Sequence, residues 1–565
     1  MQLFLYQSLS KLFLMQSIKF TKIEPVLLLV IVTLGAFLYL HKLGETPPGL
    51  YLDEAGTGYN AYSLLKTGKD EYGMAFPAAM RLFGSYTPPL HIYLSIPLIT
   101  LFGLKVFSVR LLSAICGVLA IPVIFLIIKE LQITKSKFTP LLSSLFFTIT
   151  PWAVFYSRMG YEQNLAFLFL AFSALLIVKS LKKPKLLALA IPVLSLATYA
   201  DYAQRFLAPI FLAGSLVLFW KKLLNKKYIK YAIIGGVVAF FIQLPNLTLL
   251  NTASFYTKTD HFYSEVIKAQ AEKINHFLPP AIAVPLAFVR EFTSKTATYY
   301  SPRSLFFLPD PDPQRSTPEL SVFYPWMVIP YLIGLYFLWK TKKAPSSKLI
   351  FFLLLLTPLP GTLTHEPFHV QRTLGLLLPT TLVIAIGIDK LINAKRIKFW
   401  LPVALFFLGT SLILLWRSYF VLLPQERAVI WGYGYPHLAQ IIKDNPDKVY
   451  VIDQSKRPKP QDIAYIQLAF YLNLPPEKLQ AYYGNEVTGG YYTKTEVTFT
   501  HKFANIETKP IDWGEAVWRD VILVGDLVAI SDPEVKLHNL TQVFEIKDPN
   551  NQIIYRGFQT NPKPK

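Results

Sequence analysis

The chain reads as a polytopic α-helical membrane protein with outer juxtamembrane helices and a small C-terminal α/β domain. Three observations predict this. Of 565 residues, 53% are hydrophobic and only 16% charged, and the mean hydropathy is +0.37, too apolar for a soluble chain of this length. Apolar runs of membrane-crossing length recur up to residue 417, separated by short clusters of lysine. After residue 417 the pattern changes to short helices and alternating strands. The net charge of +21 is spread over those clusters, so it argues for membrane topology and against a nucleic-acid partner. The one cysteine, Cys116, lies inside an apolar run, which excludes disulfides and Cys-ligated metal centres.

A helix needs about 20 mostly apolar residues to cross a bilayer. Segments that meet this are 25–42, 106–128, 139–156, 163–179, 186–202, 206–220, 229–247, 323–339, 348–364, 373–389 and 399–417, about eleven transmembrane helices. Segment 88–104 is short and interrupted by Pro97. Charge decides its status. If it does not span, the inner loops collect Lys129, Lys135 and Lys137, then Lys179 to Lys185, Lys221 to Lys230, Lys340 to Lys348 and Lys390 to Lys398. The short outer loops then hold single arginines: Arg158, Arg205 and Arg372. Counting 88–104 as a span reverses this and violates the positive-inside rule, so it is expected to be an outer juxtamembrane helix.

The resulting organisation is a cytoplasmic N-terminal segment at 1–24, with an interfacial helix over 1–22, and a membrane module at 25–417 with long outer loops at 43–105 and 248–322. An extracytoplasmic α/β domain follows at 418–565. The protein is expected in the plasma membrane, with its active site facing outward. Further helices are expected at 263–276, 281–295, 436–444 and 462–473. Strands are expected at 448–453, 497–503, 520–524, 543–547 and 553–558, the last two joined across Asp548-Pro549-Asn550-Asn551.

Ionisable groups at membrane depth are costly and mark function. Here they gather on the outer side: Asp53 and Glu54, His91, Arg110, Arg158 and Glu162, Asp201 and Arg205, and His365, Glu366, His369 and Arg372. Guanidinium forks beside apolar helices suit a lipid phosphate, and a nearby carboxylate suits a base that activates a hydroxyl. Together they describe transfer of a group from a phosphate-bearing lipid to an alcohol. Asp53 also suits a helix cap, Glu162 a cap for the span that follows it, and each arginine a headgroup anchor. Asp310-Pro311-Asp312 matches an Asp-x-Asp metal signature, but the prolines around it describe a rigid loop more economically.

An ordered set of segments carries a family resemblance. It comprises Leu52-Asp53-Glu54, Thr87-Pro88-Pro89-Leu90-His91, Arg110-Leu111-Leu112-Ser113-Ala114 and Tyr156-Ser157-Arg158-Met159-Gly160-Tyr161-Glu162. Tyr199 to Arg205, Tyr299 to Phe307, Pro358 to Arg372 and Trp431-Gly432-Tyr433 continue it. In this order the chain resembles GT-C class glycosyltransferases that use polyprenyl-phosphate sugars, in the group of protein O-mannosyltransferases and aminoarabinose (lipid A) transferases. The resemblance implies inverting transfer of one sugar to an acceptor hydroxyl on a protein, lipid or polysaccharide, with Asp53 as base. Glu54 and Glu162 are the further catalytic candidates; Arg110, Arg158, Arg205 and Arg372 are candidates for the donor phosphate. His91, Tyr59, Tyr199 and His369 are candidate substrate contacts. The pattern leaves room for a divalent metal, with Asp53, His365 and Glu366 as weak candidate ligands. Thr87 stands where the lipid A enzyme has an acidic residue, which weakens the transfer of any metal site from it. The rival readings are a flippase for lipid-linked saccharides, which would carry polar residues in mid-span, and an oligosaccharyltransferase.

Overall fold

The computed structural model describes residues 23–134, 136–256, 264–364, 366, 368–392, 397–455, 463–494 and 500–562. The expected helix over 1–22, the loop residues Lys135, Lys395 and Arg396, strand residues 497–499 and His365 lie outside the described residues.

Every apolar run expected to span contains a helix. They are α1 (Glu24–Leu40), α4 (Val106–Leu131), α5 with α6 (Thr139–Ile149, Pro151–Ser157), α7 (Gln163–Ser180) and α8 (Leu187–Ala197). The series continues with α9 (Ala203–Leu218), α10 (Lys226–Thr248), α13 (Val328–Lys340), α14 (Pro345–Leu356), α15 (Leu377–Ile392) and α16 (Ile397–Trp416). Loop helices are α2 (Leu52–Thr67), α3 (Leu90–Phe102), α11 (Ser264–Asn275) and α12 (Pro280–Thr298). Among the described residues, five helices are long and apolar enough to cross a membrane by length and composition. Two of the other runs are shortened by identifiable breaks. The run 139–156 splits at Thr150, whose Oγ1 caps α6 by accepting from Ala153 N at 3.4 Å, with Pro151 as the first helical residue. The run 348–364 stops at Leu356, before Pro358 and Pro360.

Helix α10 shows what surrounds the bundle. Its apolar window is only 11% buried, and Ile233, Val237, Phe240 and Phe241 stand exposed along it. A stripe of this kind is stable only against other apolar matter, and the chain is a membrane protein. Inside the bundle, α13 and α15 cross at backbone contact. A Cβ on Gly334 would fall 2.0 Å from the Val383 carbonyl, so only glycine permits this approach.

Loop 43–105 carries α2, a hairpin of β1 (Met80–Leu82) and β2 (Ser85–Thr87), and α3. The C-terminal region contains α17 (Gly434–Asp444), β3 (Tyr450–Asp453), α18 (Ala464–Tyr471), α19 (Pro476–Thr488), β4 (His501–Phe503) and β5 (Ile506–Lys509). It ends with β6 (Ile522–Gly525), β7 (Thr541–Lys547) and β8 (Ile553–Gln559). The sheet runs β4-β5-β3-β6-β8-β7, with β3 parallel to both neighbours and the other pairs antiparallel. The β7–β8 hairpin turns at Asp548, whose Oδ1 accepts from Asn550 N and Gln552 N at 2.8 Å each. The expected α/β character is borne out.

The domain is clasped to the first loop. Tyr59 donates to the Leu474 carbonyl at 3.1 Å, and Gln467 donates to the Leu50 carbonyl at 2.9 Å. Between them lie two buried carboxyl groups. Tyr465 donates to Glu71 at 3.1 Å, beside Asn60 at 3.2 Å, and Tyr491 donates to Asp70 at 2.6 Å. Burial pushes Glu71 up to about 8 and Asp70 up to about 6. Glu71 therefore binds a proton more readily in the folded chain. Its contribution to docking is full below its unfolded value of 4.5 and is lost as pH rises through about 8. Amide-exchange protection of residues 464–494 should accordingly fall between pH 5 and pH 8, and Glu71→Gln should flatten that dependence. An unchanged pH profile in the variant would refute the assignment.

Candidate functional site

Helix α2 begins with the stretch from which the site is built. Its first turn holds both Asp53 and Glu54, and Glu54 does the capping, accepting from Tyr51 N at 3.0 Å. The same carboxylate accepts from Arg110 Nε at 2.9 Å, Arg110 Nη2 at 3.0 Å and Gly160 N at 2.6 Å. Both side chains of this ion pair are fully buried. Arg110 spends its remaining donors on the carbonyls of Leu43, Pro47 and Gly49, at 3.3, 2.9 and 2.5 Å. Arg158 follows the same pattern. It donates to the carbonyls of Leu38, Lys42 and Thr46 at 2.8, 3.3 and 3.2 Å, and lies against the Tyr419 and Phe420 rings.

These contacts redirect several expectations. Glu54, expected in catalysis, is a carboxylate with four donors around it and no acceptor capacity left for substrate. Arg110 and Arg158, expected on a donor phosphate, are buried and bound to backbone carbonyls. Tyr59 gives its hydroxyl to Leu474, and Tyr199 gives its hydroxyl to the Ile242 carbonyl at 2.6 Å while accepting from Asn246 N. His91 is buried against Ser113 Oγ at 3.3 Å. All six hold the frame of the site.

Most of the remaining expected residues are less deeply buried. Asp53, released from capping by Glu54, is half-buried. Its charge acts on the Tyr51 and Tyr161 hydroxyls, which burial, reinforced by that charge, keeps protonated far above their ordinary range. Tyr51 also lies in the field of Asp312 and Arg315, in loop 309–316. That loop is rigid, as expected, through two Asx turns: Asp310 Oδ1 accepts from Asp312 N and Asp312 Oδ1 from Gln314 N, each at 2.9 Å. It also brings in Arg315, which sequence reasoning missed. Arg315 pairs with Asp310 at 3.2 Å, Asp312 at 3.6 Å and Glu366 at 2.5 Å, and its Nη1 lies 3.3 Å from His369 Nε2. The available signal was the Asp-Pro-Asp-Pro-Gln-Arg run, with a cation three residues after the second acid.

The two other expected arginines are half-buried. Arg205 makes long contacts, 3.4 Å to the Phe255 carbonyl and 3.3 Å to Asn246 Oδ1. The Arg372 guanidinium has no hydrogen bond among the described residues; it lies in the field of Asp201, Glu366 and Arg315. Asp201 acts on Arg205 as well, which places both arginines around one carboxylate. Glu162 makes no capping bond to the helix it precedes and acts electrostatically on Tyr202, next to Arg205. Among the described residues, no three His, Cys, Asp or Glu side chains gather as a metal cage. Glu366, a candidate ligand, pairs with Arg315 at 2.5 Å.

Residues 86–248 match the family model described as dolichyl-phosphate-mannose-protein mannosyltransferase. The structure is similar to the oligosaccharyltransferase of Archaeoglobus fulgidus in complex with Zn and sulfate, with a TM-score of 0.51 at 12% identity over 94% of this chain and 72% of that one. The chain shares its fold with that oligosaccharyltransferase. Two more solved structures are similar to this chain. One is ArnT from Cupriavidus metallidurans bound to undecaprenyl phosphate (TM-score 0.45, 12% identity, 95% and 98% of the two chains). The other is the S. cerevisiae protein O-mannosyltransferase Pmt1-Pmt2 complex bound to the sugar donor (TM-score 0.32, 17% identity, 44% and 37%). No curated relative matches at the level of sequence.

The buried pair yields a stability prediction. Removing one partner of a buried, hydrogen-bonded ion pair strands the other and costs about 3–5 kcal/mol. Arg110→Met and Glu54→Leu should each lower the unfolding midpoint in detergent sharply, whereas Arg372→Met should change it little. Equal midpoints for the three variants would show that the Glu54–Arg110 pair does not support the loop.

Proposed function

We propose that the protein transfers one sugar from a polyprenyl-phosphate carrier to an acceptor hydroxyl at the extracytoplasmic face, with inversion at the anomeric carbon. The observation that carries this reading is the division of labour among the ionisable groups. Glu54, Arg110 and Arg158 are consumed by the frame, whereas Asp53, Arg205 and Arg372 are each half-buried. In this scheme the acceptor hydroxyl gives its proton to Asp53 as its oxygen attacks the anomeric carbon. The bond from that carbon to the phosphate oxygen breaks, and the lipid phosphate leaves with the electron pair. Arg205 and Arg372 stabilise the charge gathering on it. Glu162, near Arg205, is the second acid of the site and is suited to sugar hydroxyls. The match of residues 86–248 to the mannosyltransferase model, which spans Arg110, Arg158, Glu162 and Arg205, supports the same chemistry.

A positioned general base contributes about 10²–10⁴-fold to rate. Asp53→Asn should therefore cut transfer from polyprenyl-phosphate sugars by roughly that factor, with donor binding retained. The assay offers purified protein a panel of monosaccharide-phosphate and oligosaccharide-diphosphate lipids. Full activity of the variant would remove Asp53 as base. Consumption of oligosaccharide donors alone would favour an oligosaccharyltransferase, and movement of intact lipid-linked sugar across liposomes without consumption would favour a flippase.

A further inference from the structure

Arg315 is the best-connected cation among the described residues of the site, yet its geometry does not fit it to bind a phosphate itself. Its Nε and Nη2 grip the two oxygens of Asp310 at 3.2 and 3.3 Å. Nη2 also pairs with Asp312 at 3.6 Å, and Nη1 with Glu366 at 2.5 Å. Three carboxylates thus share one guanidinium whose side chain is only 10% exposed, and Asp310 is completely buried beneath it. The grip joins two chain segments far apart in sequence. Asp310 Oδ2 accepts from Val370 N at 3.2 Å, so the loop 309–316 is bolted to the strip 366–373. The strip is held again by Tyr299 Oη, which accepts from His369 N at 2.9 Å, and by Thr373, which donates to the His369 carbonyl at 2.9 Å. Arg372 sits in this strip, and Glu366 and Arg315 are both in its field.

We propose that Arg315 is a positioning residue for the donor-phosphate site: by occupying Glu366 and Asp310 it keeps Arg372 unpaired and available to the carrier phosphate. This rests on the functional reading above. The physical argument is competition for one cation. Glu366 is acidic and partly exposed, lies 2.5 Å from Arg315 and 3.8 Å from His369 Nε2, and its field reaches Arg372, six residues on in the same strip. With Arg315 in place it is neutralised there. Without Arg315, Glu366 loses its 2.5 Å partner, and Arg372 becomes the cation that compensates it. A guanidinium paired to a carboxylate must break that pair before it can fork onto a phosphate.

The test uses the full-length protein in detergent and measures binding of a polyprenyl monophosphate together with donor KM and kcat. Arg315→Gln should weaken binding and raise donor KM by about tenfold while kcat changes less, the pattern of lost ground-state binding. The decisive variant is the double substitution Arg315→Gln with Glu366→Gln, which removes the competitor and should restore most of the binding. Arg315→Lys, which keeps the charge but not the fork, should lie between wild type and Arg315→Gln. A merely structural role for Arg315 predicts no rescue by Glu366→Gln, and that result would overturn the proposal, as would wild-type affinity in Arg315→Gln. If Arg315→Gln fails to fold, the Arg315→Lys comparison with and without Glu366→Gln reads the same competition. Wild-type protein that binds no polyprenyl monophosphate and consumes no polyprenyl-phosphate sugar would instead refute the donor assignment itself.

Discussion

The Glu54–Arg110 ion pair is the constraint on which the rest of the site depends. A carboxylate and a guanidinium buried together are tolerable only when every lone pair and N–H has a partner, and here the partners come from three places. Glu54 reaches the α2 N-terminus and Gly160, and Arg110 reaches three carbonyls of the connection between α1 and α2. One pair thereby ties together α2, α4 and the α6–α7 turn. Arg158 repeats the device one layer away, holding the end of α1 and the residues after it. Non-regular backbone beside a bilayer must have its polar groups satisfied by the protein. Two arginines do this for the segment 38–49, and the helix start that presents Asp53 inherits their rigidity.

The same logic divides acidic neighbours. Asp53 and Glu54 are adjacent, but successive helical residues point about 100° apart, so Glu54 faces the buried arginine while Asp53 points elsewhere and is half-buried. Sequence shows the doublet and its place after the first apolar run. Which acid caps and joins the buried pair is decided by Arg110 and Gly160, more than 50 residues away, and no local pattern encodes that. The arginines pose the same problem. Arg110, Arg158, Arg205 and Arg372 all look alike as single cations at helix mouths, and only the carbonyls around the first two separate frame from site.

Element positions were more legible because apolar runs report burial directly. The breaks at Thr150 and Leu356 were misjudged, since a proline that starts or stops a helix inside an apolar run leaves hydropathy unchanged. Strand β5 was missed for another reason. Ile506–Lys509 contains a single apolar residue, and Glu507 is buried because Arg519, Lys502 and Lys509 surround it at 2.7, 3.3 and 3.4 Å. The loop 309–316 was read correctly as rigid and incompletely as inert. Its partners Glu366 and His369 lie about fifty residues on, in a strip with no periodicity of its own.

The clasp between Tyr59 and Leu474 spans 415 positions of sequence. A growing chain enters the membrane from its N-terminal end, so α2 emerges long before the residues that brace it. Until α18, α19 and Tyr491 have been made, Glu71 and Asp70 lack the tyrosines that cover them, and the helix bearing Asp53 stands on one support instead of two. The site is therefore among the last parts of the molecule to be completed during biosynthesis. An incompletely made or C-terminally clipped copy would hold the membrane frame without a finished active centre.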